Sequence, residues 1–511
     1  MKKVKKILLS RVIVVALAVI VQVGWLFLMM YQFSLEYSIV NVVFNIVALV
    51  LVLSIINQWI NPSYKIVWTF FILIFPIGGV ITYYIFGRAK LRKKVRERME
   101  EKHDQILHLL PDNRDLEEEI RIQDYSMGNQ SKYINDWADF PVYKNTLTEY
   151  YINGETMFEA MLKDMQTAQH FIFMEYFIVE EGIMFDQMLE IMKKKAAAGV
   201  DVRLIYDDFG CVTTLPSDFY LKMQAIGVKC VTFNRLRPVV SVLMNNRDHR
   251  KIFVVDGKIG YTGGMNIADE YINKKVRFGY WKDTGLRLYG EGVWSLTAMF
   301  LEMWNYINRT SEDYAKFRPE VHQDKPFETD GYVQPYGDTP LDNEKVGENV
   351  YMNMIGHAKE YVYIFTPYLI LDNEMLTYLR NAAKCGVDVR IATPGIPDKK
   401  IIFLMTQSYY QRLIECGIRI YQYKPGFLHA KSFVCDDKVA TVGSINMDYR
   451  SLYLHFECGV WMYNTSTVQS VKADSLRTFE NSREITMEFC KKQPILTRLI
   501  WSVLRLMAPL V

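Results

Sequence analysis

Two short runs in this 511-residue chain carry the same reactive side chains in the same order. The first is Asp248-His249-Arg250-Lys251, reaching Asp256 and then Gly263-Gly264-Met265-Asn266. The second is Leu428-His429-Ala430-Lys431, reaching Asp436 and then Gly443-Ser444-Ile445-Asn446. His, Lys, Asp, Gly and Asn are each offset by 180 residues. One His-x-Lys on an apolar strand is usually accidental, but two copies with five matched positions are not. Residues i and i+2 of a strand share a face, so His249 and Lys251 should aim at one spot, as should His429 and Lys431.

These residue types suit chemistry at phosphorus. A neutral imidazole can attack phosphorus. A lysine ammonium and an asparagine amide, here Asn266 or Asn446, can hold non-bridging oxygens as charge builds. Gly264 and Ser444, each after a glycine, would let backbone or hydroxyl approach a phosphate closely. Exchange at a phosphodiester needs a nucleophile and an acid for the leaving oxygen, and two copies facing one another supply both. His249 is assigned as nucleophile and His429 as acid and then base; the similarity of the copies leaves the reverse assignment open. His249, Lys251, Asp256, His429, Lys431 and Asp436 form the candidate catalytic set. Within it Asp256 and Asp436 look structural, because each closes its strand at a turn.

The elements around these motifs repeat too. His170–Phe177 reads as a strand, followed by a helical stretch ending at Gly199 and a strand at Val200–Tyr206. Glu360–Phe365, a helical stretch ending at Gly386 and a strand from Val387 repeat the pattern, and Gly-Val-Asp-Val-Arg occurs in both. Strand, helix, glycine stop and strand predict an α/β unit in each copy.

The doubled pattern His-x-Lys-x4-Asp-x6-Gly-[Gly/Ser]-x-Asn resembles the phospholipase D superfamily. Further wording resembles its bacterial cardiolipin synthase branch: Gly263 to Tyr271, Trp281-Lys282-Asp283-Thr284, Pro425 to Lys431, and Asn446-Met447-Asp448-Tyr449-Arg450-Ser451 leading to Phe456-Glu457. Pro76-Ile77-Gly78-Gly79 to Gly87 looks like that branch's N-terminal membrane module. The resemblance implies two α/β/α-type repeats sharing one active site, preceded by N-terminal transmembrane helices. It also implies that an acidic residue downstream of each motif orients the histidine, by position Asp283 for His249 and Glu457 for His429. The implied reaction joins two phosphatidylglycerol molecules into cardiolipin and glycerol through a phosphohistidine. No cofactor or metal is implied. A phospholipase D, a transferase with another acceptor alcohol and a membrane-tethered nuclease are the alternatives.

Charge is unevenly placed. Residues 1–98 hold 13 Lys/Arg and two acids, so the remainder of this +3 chain is net −8. An acidic body is a poor match for nucleic acid, whereas a basic stripe beside apolar segments suits a bilayer with anionic lipids. Three apolar stretches, Ile7–Met30, Ile39–Ile60 and Ile66–Phe86, each approach the length of a membrane crossing. Basic clusters at the N-terminus and at Arg88–Arg98 both belong in the cytoplasm, which requires an even number of crossings. One stretch should therefore fail to span, leaving a multi-pass protein of the cell membrane with its catalytic body on the cytoplasmic side. The expected organisation is a membrane segment 1–98, a linker 99–140, repeat domains at 141–328 and 329–490, and a C-terminal amphipathic helix 491–511. The seven scattered cysteines form no Cys-x-x-Cys pair, and His103, His108, His170, His322, His357 and His455 show no ligand spacing.

Overall fold

The computed structural model describes residues 24, 28, 38–87, 93–235, 246–322, 326–342 and 344–510. The first apolar stretch lies almost wholly outside the described residues, as does the start of the basic run at Arg88–Arg98.

The first half contributes β1 (Thr146–Tyr151), β2 (Phe171–Tyr176), β3 (Asp201–Asp207), β4 (Lys229–Phe233), β5 (Arg247–Asp248), β6 (Ile252–Val255), β7 (Ile259–Gly263), β8 (Tyr280–Lys282) and β9 (Gly285–Gly290). The second contributes β10 (Tyr332–Asp338), β11 (Tyr361–Phe365), β12 (Asp388–Pro394), β13 (Arg419–Tyr423), β14 (Gly426–Leu428), β15 (Ser432–Cys435), β16 (Val439–Gly443), β17 (His455–Tyr463) and β18 (Ser482–Ile485). The first sheet runs β1-β9-β7-β6-β2-β3-β4; the second runs β10-β17-β16-β15-β11-β12-β13-β18. Apart from β18 the two orders are the same, so the sequence repeat is a repeat of topology. In both, the parallel strands (β2-β3-β4 and β11-β12-β13) are joined by helices, and every side chain of the central β2 and β11 is buried. That is why they read as continuous apolar runs rather than alternating ones. Helices Gly154–Thr167, Ile183–Ala197 and Phe219–Ala225 cover one face of the first sheet, with Met157, Met161, Met184, Met188 and Phe219 inside. Val293–Asn308 covers the other and also meets β10, while Ser466–Glu480 packs on the second sheet and on β1.

Residues 99–140 are not a linker. Helices Lys93–Leu107, Arg114–Gln123 and Tyr125–Ala138 bury Met99, Ile106, Ile120, Met127 and Ile134 in the main core. Their many charged residues hide an apolar stripe at helical spacing.

Over the described residues no helix is long and apolar enough to cross a membrane. The second apolar stretch forms the helix Ser38–Ile56. The third forms Pro62–Ile74, breaks at Phe75, and turns back through Pro76–Thr82 to Gly87. The return is tight: Gly79 lies against Ile72, where a Cβ would fall 2.4 Å from the Ile72 Cα. The Trp68 and Tyr83 rings meet edge-on at 5.3 Å, and the Tyr64 hydroxyl donates to the Gly87 carbonyl at 3.1 Å. Entry and exit therefore lie at the same end. Asn61, which caps the Pro62–Ile74 helix, also donates from its amide to Asp372 (3.0 Å) and Tyr453 (3.1 Å) of the catalytic body. At the C-terminus, Ile495–Met507 docks through buried Trp501 and an Arg505 bond to the Ser408 carbonyl, leaving Ile495, Leu496, Leu499 and Val503 exposed.

Candidate active site

Each His-x-Lys run lies in the extended segment that leads into β6 or β15, one step before the strand begins. His249, Lys251, His429 and Lys431 are all buried. Each lysine ammonium donates to the carbonyl of its own histidine, Lys251 to His249 and Lys431 to His429, which clamps the pair together.

The carboxylates are exchanged relative to the order expected from sequence. His249 Nδ1 bonds to Glu457, at 2.9 and 3.0 Å to its two oxygens, and His429 Nδ1 bonds to Asp283 Oδ2 at 2.6 Å. Each histidine is thus oriented by the opposite half. Two miniature parallel bridges cause this. β5 pairs with β17, setting Asp248 beside Phe456, and the His249 N–H donates to the Phe456 carbonyl at 2.9 Å. β14 pairs with β8, setting Leu428 beside Lys282, and the His429 N–H donates to the Lys282 carbonyl at 2.7 Å. The next residue along each bridge is the carboxylate that meets the ring.

The remaining candidate residues make other contacts. Asp256 accepts the N–H groups of Gln169, His170 and Phe171, and Asp436 those of Lys359, Glu360 and Tyr361. With φ of +49° and +52°, both sit in turns at the far ends of β6 and β15 and fix the starts of β2 and β11. Through these bonds they brace the sheets. Ser444 and Gly264 do not offer free donors to a phosphate. The Ser444 hydroxyl donates to Glu457 and its N–H to the Cys458 carbonyl, while the Gly264 N–H donates to the Thr284 carbonyl. Gly264 makes room for Asp283: a Cβ there would lie 2.0 Å from Asp283 Oδ1. The asparagines differ as well. Asn266 accepts from the Ile178 N–H and donates to the Tyr271 hydroxyl, so its amide first fixes Tyr271. The Asn446 carbonyl oxygen is buried without a partner.

Sequence reading missed His455. It begins β17 two residues before Glu457, the same spacing that ties His to Lys in each motif, and its ring lies 5.6 Å from that of His249. Ligand atoms of His249, His455 and Glu457 all fall within 4.8 Å of one another, the one grouping among the described residues with metal-ligand chemistry.

Burial pushes both catalytic imidazoles toward the neutral form. His249 is lowered well below its ordinary value by burial and then by Lys251, Lys431 and His429. His429 is lowered to about 4 by burial and Lys431, against the pull of Asp283. Burial also lowers Lys251 to about 8 and Lys431 to about 7. Asp283 stays below the usual carboxylate range: burial works to raise it, but His429 and Lys431 prevail. These mutual effects place both motifs in one electrostatic site. With each Nδ1 turned to a carboxylate, each Nε2 is left for chemistry.

A family profile described as "Cardiolipin synthase, PLD-like domain" matches residues 161–277 and 351–478, and one described as "Phospholipase_D-nuclease N-terminal" matches 43–88. A cardiolipin synthase of Alkalihalophilus pseudofirmus is 32% identical over 92% of this chain and 93% of its own. The chain belongs to the cardiolipin synthase family of the phospholipase D superfamily. An uncharacterised protein of Streptococcus mutans is 44% identical over 90% of this chain and 99% of its own. Among solved structures, the phosphatidylserine synthase of Haemophilus influenzae aligns over 75% of this chain and 98% of its own, with a TM-score of 0.55 at 14% identity, a likeness of fold. The two matched segments of the first profile hold one His-x-Lys run each.

Proposed function

We infer that this protein is a cardiolipin synthase, a phosphatidyltransferase that joins two phosphatidylglycerols with release of glycerol. The observation that carries this is the crossed pair of buried imidazoles, each held at Nδ1 by a carboxylate of the other half over a buried lysine. The Nε2 lone pair of His249 attacks the phosphorus of the first phosphatidylglycerol. The bond to the glycerol oxygen breaks, and His429 gives that oxygen its proton, leaving phosphatidyl on His249 and free glycerol. The primary hydroxyl of the second phosphatidylglycerol then attacks the same phosphorus and surrenders its proton to His429. The P–N bond breaks and cardiolipin leaves. Lys251, Lys431 and Asn446 hold the non-bridging oxygens. Giving the acid role to His429 is supported by Asp283, whose carboxylate raises the proton affinity of this imidazole against burial and Lys431. A phosphodiester anion in the site adds the negative charge that lets this imidazole take a proton.

The protein works at the cell membrane with its catalytic body on the cytoplasmic side. Support comes from the hairpin of residues 62–87. Its descending helix of 13 residues is about 20 Å long at ~1.5 Å per residue, short of a hydrocarbon core of about 30 Å. Its entry at Asn61 is bonded to Asp372 and Tyr453 of the catalytic body, and the Tyr64–Gly87 bond brings its exit back to the same end. A hairpin that dips in and returns leaves crossing to the two apolar stretches of the sequence before it, Ile7–Met30 and Ile39–Ile60, and so puts both basic clusters in the cytoplasm.

The deciding experiment is lipid analysis after purified protein is mixed with phosphatidylglycerol alone. Cardiolipin with glycerol is expected, and phosphatidic acid with glycerol would make the protein a hydrolase. For topology, a cysteine-free variant carrying Asp104→Cys should resist impermeant thiol reagents in intact cells; ready labelling would overturn the arrangement.

A further inference from the structure

Two groups beside His249 have no task in the steps above. His455 has a side chain only 11% exposed, and neither ring nitrogen has a hydrogen-bond partner among the described residues; Glu457 stands off at 3.8 Å. Arg450 lies in the first turn of the helix Tyr449–Tyr453, and its guanidinium has neither an ion pair nor a hydrogen bond among the described residues. Arg247, level with His455 in the β5–β17 bridge, adds a second guanidinium, which faces Asp207 at 3.6 Å. Burial lowers the proton affinity of all three, and Arg450 lowers that of Arg247 and His455 further, so the groups are neighbours.

Their placement is fixed from the active site itself. Asp448 caps the Tyr449–Tyr453 helix by accepting from the Arg450 and Ser451 N–H groups, and the Ser451 hydroxyl donates to Glu457, the carboxylate that holds His249. A largely buried guanidinium such as that of Arg450, with no hydrogen bond, is costly unless an anion completes it. The reacting phosphate is served by Lys251 and Lys431. Joining two phosphatidylglycerols requires a second phosphodiester, one that is not attacked and stays one glycerol's length from the reacting phosphorus.

We propose that Arg450 and His455 form the subsite for the phosphate of the acceptor phosphatidylglycerol. Arginine offers that phosphodiester paired N–H donors, and the His455 ring offers a donor to the same phosphate or to the glycerol that bears it. The proposal rests on the cardiolipin synthase reading and adds a headgroup requirement to it: the acceptor must bring an anionic phosphodiester as well as a hydroxyl.

The test compares two reactions of one preparation on phosphatidylglycerol vesicles. Cardiolipin formation uses both phosphates, whereas exchange of isotope-labelled free glycerol into phosphatidylglycerol uses one phosphate and a neutral alcohol. Arg450→Gln should lower the ratio of cardiolipin formed to glycerol exchanged at least tenfold, about the worth of one charged hydrogen bond. His455→Asn should lower it in the same direction, and Arg450→Lys should recover part of the loss. An unchanged ratio in Arg450→Gln and His455→Asn proteins of wild-type melting temperature would overturn the subsite. If Arg450→Gln does not fold, the His455→Asn ratio decides. Wild-type protein that exchanges glycerol but makes no cardiolipin would overturn the reading of the reaction, and the subsite with it.

Discussion

The two half-sites share a plan and differ in what surrounds it. His249 has a long carboxylate, Glu457, held by two serine hydroxyls from Ser444 and Ser451, with a second histidine alongside. His429 has a short carboxylate, Asp283, which fits because position 264 is glycine, and three aromatic rings from Tyr271, Trp281 and Phe427 lie within 5.4–5.7 Å. A polar, hydrogen-bonded pocket suits the histidine that carries the phosphatidyl group beside a second headgroup. An aromatic wall suits the one that shuttles a proton, because it keeps water from competing with the acceptor hydroxyl. On the proposed assignment, a duplicated motif is divided into two tasks by its neighbours rather than by its own residues.

The sharpest way to break this comparison is to remove each histidine. Either His249→Ala or His429→Ala should cut steady-state cardiolipin synthesis by about 10³-fold or more, because nucleophile and acid are both required. With a donor whose leaving group needs no proton, His429→Ala should still form an acid-labile phosphatidyl adduct on His249, seen by mass spectrometry. His249→Ala should form none. An adduct trapped on His429 instead would exchange the two roles.

The crossed pairing is tested by the carboxylates, with a loss of about 10²-fold each. Glu457→Gln should behave as a weaker His249→Ala and fail to form the adduct. Asp283→Asn should behave as a weaker His429→Ala, forming the adduct but resolving it slowly. The opposite outcome would mean that each carboxylate serves its own half.

The lysines set the pH dependence. Their protonated forms bind phosphate, and their affinities are lowered to about 8 and about 7, so kcat/KM should decline as pH rises through 7 to 8. Lys431→Arg should move that decline to higher pH, because arginine keeps its charge. A profile flat to pH 9 would show that the lysines titrate normally. Chelation should have the smallest effect. The site works with imidazole and ammonium groups, so activity with EDTA should stay within about twofold, apart from effects on the vesicles. Complete loss, restored by catalytic amounts of one metal, would recast His249, His455 and Glu457 as ligands.

What the sequence made legible was local. The two His-x-Lys runs and the repeated strand-helix-strand are written within a few dozen residues each, and the shared sheet order follows from them. The pairing of carboxylate with histidine was not legible, because it depends on two- and three-residue bridges linking positions 208 and 146 residues apart. No propensity marks a bridge that short. Ser444 looked like a phosphate ligand because its partner, Glu457, is brought back only by β17. His455 was findable, since it stands two residues before Glu457 on a strand and must share its face. The helices between 99 and 140 were hidden by charge: Met99, Ile106, Ile120, Met127 and Ile134 keep helical spacing in a segment whose composition suggests a tether.

The bridges between β5 and β17 and between β8 and β14 also bear on how the protein is made. The chain leaves the ribosome from its N-terminus, so His249 emerges some two hundred residues before the carboxylate that orients it. Until that later strand is synthesised and seated, His249 has no carboxylate to fix its tautomer. A polypeptide that stops short of Glu457 therefore carries His249 without the carboxylate that orients it.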